Sequence, residues 1–328
     1  MDSALRPMSA SQVLDRTFYL YRNNFWLFAG IAMITPALTT LFSLLQIKIF
    51  GLPVTPDPAK LDPQLMEQFF QDMIARAIVG MTLGMTVYAV GYAIASGATV
   101  YAVSLLHLGK TTTIQESYAR IKGIFWRILS LVVRIFFIAA WPLALTYLVM
   151  FAAVLGMPAM LKGGAAPARV LLTMGALLLA SAGSVGGILW FFYAYCRYAL
   201  AVPACTIENL PVKYALIRSK FLTKGNVGRV VGIYALTLLI ALAVKGVLQM
   251  PAFMASGMFS MKSGMHLSAG WLTWMYGAEF IGTMVASPIA TIAMALLYYD
   301  ERVRKEAFDL QLMMDSLQPL GTAAPASV

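Results

Sequence analysis

The sequence predicts an all-α, polytopic integral membrane bundle of about six spans, and three observations carry that expectation. First, 60% of its 328 residues are hydrophobic and only 12% are charged, whereas a soluble domain is nearer half apolar and a quarter charged. Second, the apolar residues gather into runs of about 20 or more, the length a helix needs to cross about 30 Å of hydrocarbon. Third, the connectors between these runs alternate between strongly basic and nearly uncharged.

The first 24 residues are polar and mixed. The run that follows is too long for the apolar region of a signal peptide and has no small-residue cleavage site, so it reads as a retained first span. The runs are Phe25 to Ile49, Ile78 to His107, Ile128 to Leu155, Val170 to Ala201, Val230 to Met250 and Ala269 to Tyr298. Several exceed the minimum, which implies tilting or extension past the bilayer. They make one transmembrane domain over 1–310, followed by a tail, 311–328, expected to be disordered at its end.

Connectors Gly51 to Asp72, Met157 to Ala168 and Pro251 to Ser268 carry Pro, Gly and Ser and little positive charge. The others hold Arg6, Arg16 and Arg22; Lys110, Arg120, Lys122 and Arg127; Arg197, Lys213, Arg218, Lys220, Lys224 and Arg229; and Arg302, Arg304 and Lys305. Sixteen basic residues therefore stand on one side, against six on the other: Lys48, Lys60, Arg76, Lys162, Arg169 and Lys262. Short loops rich in Lys and Arg stay cytoplasmic, so both termini are expected inside.

A period near 100 residues divides the chain into parallel units at 9–108, 111–205 and 206–306. Phe25-Trp26 recurs as Phe125-Trp126, and Lys122-Gly123 through Arg127-Ile128 is echoed by Lys224-Gly225 through Arg229-Val230. An amphipathic stretch precedes each first span, with apolar faces Val13, Leu14, Phe18 and Tyr21; then Ile114, Tyr118 and Ile121; then Val212 and Leu216 with Ser219. Ser9 with Gln12, Thr112 with Gln115, and Asn209 ahead of Pro211 mark their starts. The second span of each unit carries small residues four apart, namely Gly80 and Gly84, Gly183 and Gly187, and Gly282, Ala286 and Ala290. That spacing lets helix backbones approach closely in lipid.

Few residues suggest chemistry. Glu279 is the one acid well inside a span, and Lys245 lies in the span before it. Two arrangements are open: a neutral Glu279 bonded to Tyr276 or Thr283 with Lys245 snorkelling outward, or an ion pair in a shared polar pocket. Arg134 can snorkel to the headgroups or mark a water-filled cavity. Pro36, Pro142, Pro203 and Pro288 can kink spans, whether for packing or for substrate binding. Arg120, Lys122, Arg218, Lys220, Lys224, Arg302, Arg304 and Lys305 are candidate contacts for lipid phosphates, beside their role as orientation signals. Cys196 and Cys205 read as packing thiols, and His107 and His266 form no ligand set. No metal, cofactor or catalytic constellation is expected. The net charge of +10 brackets apolar runs, so anionic lipid, and not nucleic acid, is the expected partner.

At the end of the last span the chain reads Ala295-Leu296-Leu297-Tyr298-Tyr299-Asp300-Glu301-Arg302-Val303-Arg304-Lys305-Glu306-Ala307-Phe308-Asp309-Leu310. This resembles the closing signature of the bacterial membrane-domain family named after glycerophosphoryl diester phosphodiesterase, with Ala307 where glycine is usual there. Arg6-Pro7-Met8-Ser9 with Leu14-Asp15-Arg16 and Tyr21-Arg22 resembles that family's opening, and Val202-Pro203-Ala204, Glu208 and Ala215-Leu216-Ile217-Arg218-Ser219 its centre. The resemblance implies a bacterial multi-span module. It does not imply the phosphodiesterase activity, since no residues remain for the soluble barrel that carries it. The expected function is a non-enzymatic protein that organises lipid or a partner protein at the cytoplasmic face of the inner membrane. The alternatives are a transporter or permease component and, third, a lipid-processing enzyme.

Overall fold

The computed structural model describes residues 7–51, 63–162, 167–260 and 269–306. Lys60, Lys262, His266, Arg6, the tail and the closing motif from Ala307 onward lie outside these residues, as do the side chains of Lys162 and Arg169.

Among the described residues every regular element is helical, and a short helix precedes two long ones three times over. The first set is α1 (Ala10–Asn23), the broken pair α2 (Phe25–Ala32) and α3 (Ile34–Phe50), then α4 (Pro63–His107). The second is α5 (Ile114–Lys122), α6 (Phe125–Lys162) and α7 (Pro167–Tyr198), closed by the short α8 (Ala201–Ile207). The third is α9 (Val212–Thr223), α10 (Val227–Ser260) and α11 (Ala269–Glu306). Six stretches within them are long and apolar enough to cross a membrane, beginning at Phe25, Ile74, Phe125, Val170, Val227 and Thr273. The chain is thus an all-α, multi-pass bundle.

Local signals explain the starts. Ser9 and Gln12 form the expected capping box on α1. At α5 the cap is Thr113, one residue beyond the expected Thr112: its hydroxyl accepts from the Glu116 backbone, while Thr112 donates to the Glu116 carboxylate. Asn209 lies outside α9, which Pro211 caps. Pro36 has no N–H for the Ala32 carbonyl, and the first span breaks at Met33 between α2 and α3.

Each pair of long helices forms a hairpin zipped by the small residues. A methyl on Gly183 would stand 2.8 Å from Thr146 Cγ2, and one on Gly187 would stand 2.9 Å from Leu143 Cδ2. In the first hairpin, Gly84 faces Phe42 and Gly91 meets the backbone of Thr35; in the third, Gly282 faces Lys245. The seams lie within the hairpins, as close backbone approach in lipid requires.

The hairpins converge on α11. In its span 61% of the most apolar stretch is buried, against 11% in the α4 and α7 spans, which makes α11 the central post. The fully buried side chains crowd toward the end that holds the short helices, with Phe28, Ile121, Ile128, Leu222, Ile233 and Leu296 among them. The short helices sit on this core. α1 buries Val13, Thr17, Leu20 and Tyr21 but leaves the expected face residue Phe18 exposed; α5 buries Ser117 and Ile121; α9 buries Ala215, Ser219, Leu222 and Thr223. Two hydroxyls anchor them: Tyr21 donates to the Val285 carbonyl and Tyr118 to the Ile31 carbonyl, each at 2.7 Å. Burial pushes both phenols up to about 12.

Candidate functional site

The end carrying the short helices is held by two electrically balanced knots, each of two arginines and two carboxylates. In the first, Arg218 of α9 grips Glu208, with Nη2–Oε1 at 2.9 Å and Nε–Oε2 at 3.1 Å, and also pairs with Glu306 at the end of α11. Arg302 reaches Glu208 and Glu306, each at 3.4 Å, and the Tyr298 hydroxyl donates to Glu208. Burial alone would lower the Arg218 pKa, but the hydrogen bonds it donates to Glu306 and Glu208 and their charges raise it well above its usual value.

In the second knot Arg229, at the start of α10, pairs with Asp300 at 2.5 Å and Glu301 at 3.1 Å, both of whose side chains are fully buried. Arg304 bonds Asp300 at 2.9 Å, Asn226 donates to Glu301 at 2.9 Å, and the Met8 N–H donates to Asp300. Arg229 and Arg304 both donate to the Met8 carbonyl at 2.6 Å. The two ends of the described chain are thereby clasped together. Lys305 completes the clasp by donating to the carbonyls of Phe221, Leu222 and Lys224, which close α9.

The eight expected lipid contacts therefore divide. Arg218, Arg302, Arg304 and Lys305 are engaged inside the protein. Arg120, Lys122, Lys220 and Lys224 stand exposed on or beside α5 and α9, as does Lys213, and none of them has an ion-pair partner among the described residues. Lys220 alone has a ring beneath it, that of Tyr198 at 5.3 Å. Aromatics are exposed at the same end: Trp26 is 80% exposed and Trp126 is 77% exposed, and Tyr19, Tyr214 and Phe221 are exposed as well. Phe25–Trp26 and Phe125–Trp126 make the same edge-to-face contact, at 5.3 and 5.2 Å, so the repeated dipeptide keeps one geometry in two units. Trp and Tyr in such positions favour the membrane–water boundary.

Within the spans, Glu279 and Lys245 form the ion pair, at 2.7 Å. Gln249 donates to the other carboxylate oxygen at 2.9 Å, and Thr283 donates to Glu279 at 2.8 Å. The Thr283 bond matches one of the expected arrangements, but Lys245 does not snorkel away: α10 and α11 pack side by side, and the pair neutralises two charges that would each be costly alone. Arg134 is exposed on α6.

Reading the sequence for cations left out the acids Glu208, Asp300, Glu301 and Glu306, and took Arg229 as an orientation signal alone. The available signal was the acids: only 14 occur in the chain, and Asp300, Glu301 and Glu306 crowd one motif among arginines. Among the described residues no cluster could hold a metal through His, Cys, Asp or Glu. No family model matches the chain, and neither the curated proteins nor the solved structures contain a match to it.

Proposed function

We propose that this is a non-enzymatic, multi-pass protein of the bacterial inner membrane that gathers anionic lipid around its basic end, with that end in the cytoplasm. One observation carries the reading. At that end the basic side chains include a paired set that builds the clasp and an unpaired set, among them Arg120, Lys122, Lys213, Lys220 and Lys224, left on the rim at the end that also exposes Trp and Tyr. The rim charges make no ion pair among the described residues, and lipid phosphates match them in chemistry. The bias of sixteen basic residues against six supports the orientation, and the resemblance of the closing motif supports the bacterial setting.

The test replaces the five rim residues with Gln. Each contributes at most roughly 1 kcal/mol near an anionic surface, so the set should lower anionic-lipid retention severalfold in native mass spectrometry while leaving the melting temperature unchanged. Arg218→Gln should do the reverse, lowering stability and leaving lipid preference intact. Unchanged lipid retention in the five-residue variant refutes the lipid reading. The orientation is tested separately, by impermeant thiol labelling of intact cells with cysteines placed at Lys122 or Lys220. No labelling from outside is expected, and labelling there refutes a cytoplasmic basic end.

A further inference from the structure

A small cleft lies between α2/α3, α4 and α11, apart from the rim and the clasp. Thr35, Tyr88, Ser96, Thr99, Ser287 and Thr291 supply hydroxyls to its walls. It encloses about 20 Å³, enough for one water or one dehydrated ion. Thr35 and Thr99 are only 3% and 2% exposed, yet their hydroxyls make no hydrogen bond among the described residues. Ser287 and Thr291 also lack a hydrogen-bond partner there. Threonine in a helix commonly bonds back to its own preceding turn, as Thr82 does to the Ile78 carbonyl. Buried hydroxyls left open toward a cleft call for a polar occupant.

A helix break and a helix-interior proline meet at the same place. Ala32, whose carbonyl has lost its donor to Pro36, lines the cleft, and so does Pro288, which removes the donor for the Met284 carbonyl one turn earlier. Carbonyls released at broken membrane helices, joined by hydroxyl oxygens, replace the hydration shell of a small cation. No Lys, Arg or His lines the cleft, so an anion would find no cationic partner. We propose that this cleft binds one alkali-metal cation, sodium or potassium, held by the hydroxyls of Thr35, Thr99, Ser287 and Thr291 and by the Ala32 carbonyl that Pro36 leaves without its donor. The bound ion ties three helices together, so its binding registers as stability.

The experiment uses the full chain in nanodiscs, melted in sodium chloride or potassium chloride against choline chloride at equal ionic strength, which holds chloride constant. Direct ²²Na⁺ binding accompanies it. The expected result is a saturable rise in melting temperature with sodium or potassium. Thr35→Val and Thr99→Val should weaken it by about tenfold or more, the loss of one charge-facing oxygen. Thr35→Ser and Thr99→Ser, which keep the oxygen, should retain it, as should Thr82→Val on the exposed face of α4. Should the valine variants fold poorly, binding to the wild type and the serine variants decides. If neither cation raises the melting temperature and no ²²Na⁺ binds, or if folded valine variants respond as the wild type does, the cleft holds a water only and the proposal is wrong.

Discussion

Arg229→Met should be the most damaging single charge removal in the protein. The substitution leaves Asp300 and Glu301, whose side chains are fully buried, with the charge of Arg304 alone and with one fewer donor on Met8. Breaking a buried pair by removing one partner costs roughly 3–5 kcal/mol, because the stranded carboxylate has no water to return to. The same principle predicts the rescue. Adding Asp300→Asn to Arg229→Met removes the stranded charge, so the double variant should melt above the single one. Equilibrium unfolding in detergent, read by far-UV circular dichroism, measures both. If Arg229→Met melts like the wild type, or if the double variant is worse than the single, the knot is not what closes this end of the bundle.

The closing motif was legible as a pattern and illegible as a mechanism. Its arginines read as orientation signals because Lys and Arg beside a span do set topology. Counting cations says nothing about where each side chain ends. Arg302 turns forward and Arg304 back along α11 toward acids four residues away, and Arg218 and Arg229 arrive from helices whose approach only the tertiary fold provides. The acids Asp300, Glu301 and Glu306 were in view throughout, and acids placed beside a row of arginines at a membrane boundary are a sign of internal pairing.

The spans were the most legible part, because hydropathy at this length is decided by the bilayer alone. The break at Met33 was less so: Pro36 announced it, but proline also sits inside the unbroken α6 as Pro142. Glu279 stood out by charge, and Lys245 as its neighbour by span order. Gln249 could not be chosen, since its approach to the second carboxylate oxygen depends on the packing of α10 against α11.

Gly91 and Gly187 should tolerate no side chain, whereas Gly186 should tolerate a large one. A methyl on Gly91 would stand 2.9 Å from Thr35 Cα, which is backbone and cannot rotate aside. On Gly187 it would stand 2.9 Å from Leu143 Cδ2 and 3.4 Å from the Leu143 backbone nitrogen. Gly186, one residue earlier, has nothing within 4 Å. Overpacking a fitted seam costs about 1–3 kcal/mol, and more where backbone must move. Gly91→Leu and Gly187→Leu should each lower the melting temperature clearly, with Gly91→Leu the worse, since it parts α3 from α4 beside the cleft. Gly186→Leu meets only lipid tails and should melt as the wild type does, or slightly higher, because leucine is the better helix former. The adjacent pair makes the comparison sharp: same helix, same depth, same substitution, opposite faces. Equal destabilisation at Gly186 and Gly187 would mean that α7 is rotated about its axis relative to α6, and that the small-residue seam does not join these two helices.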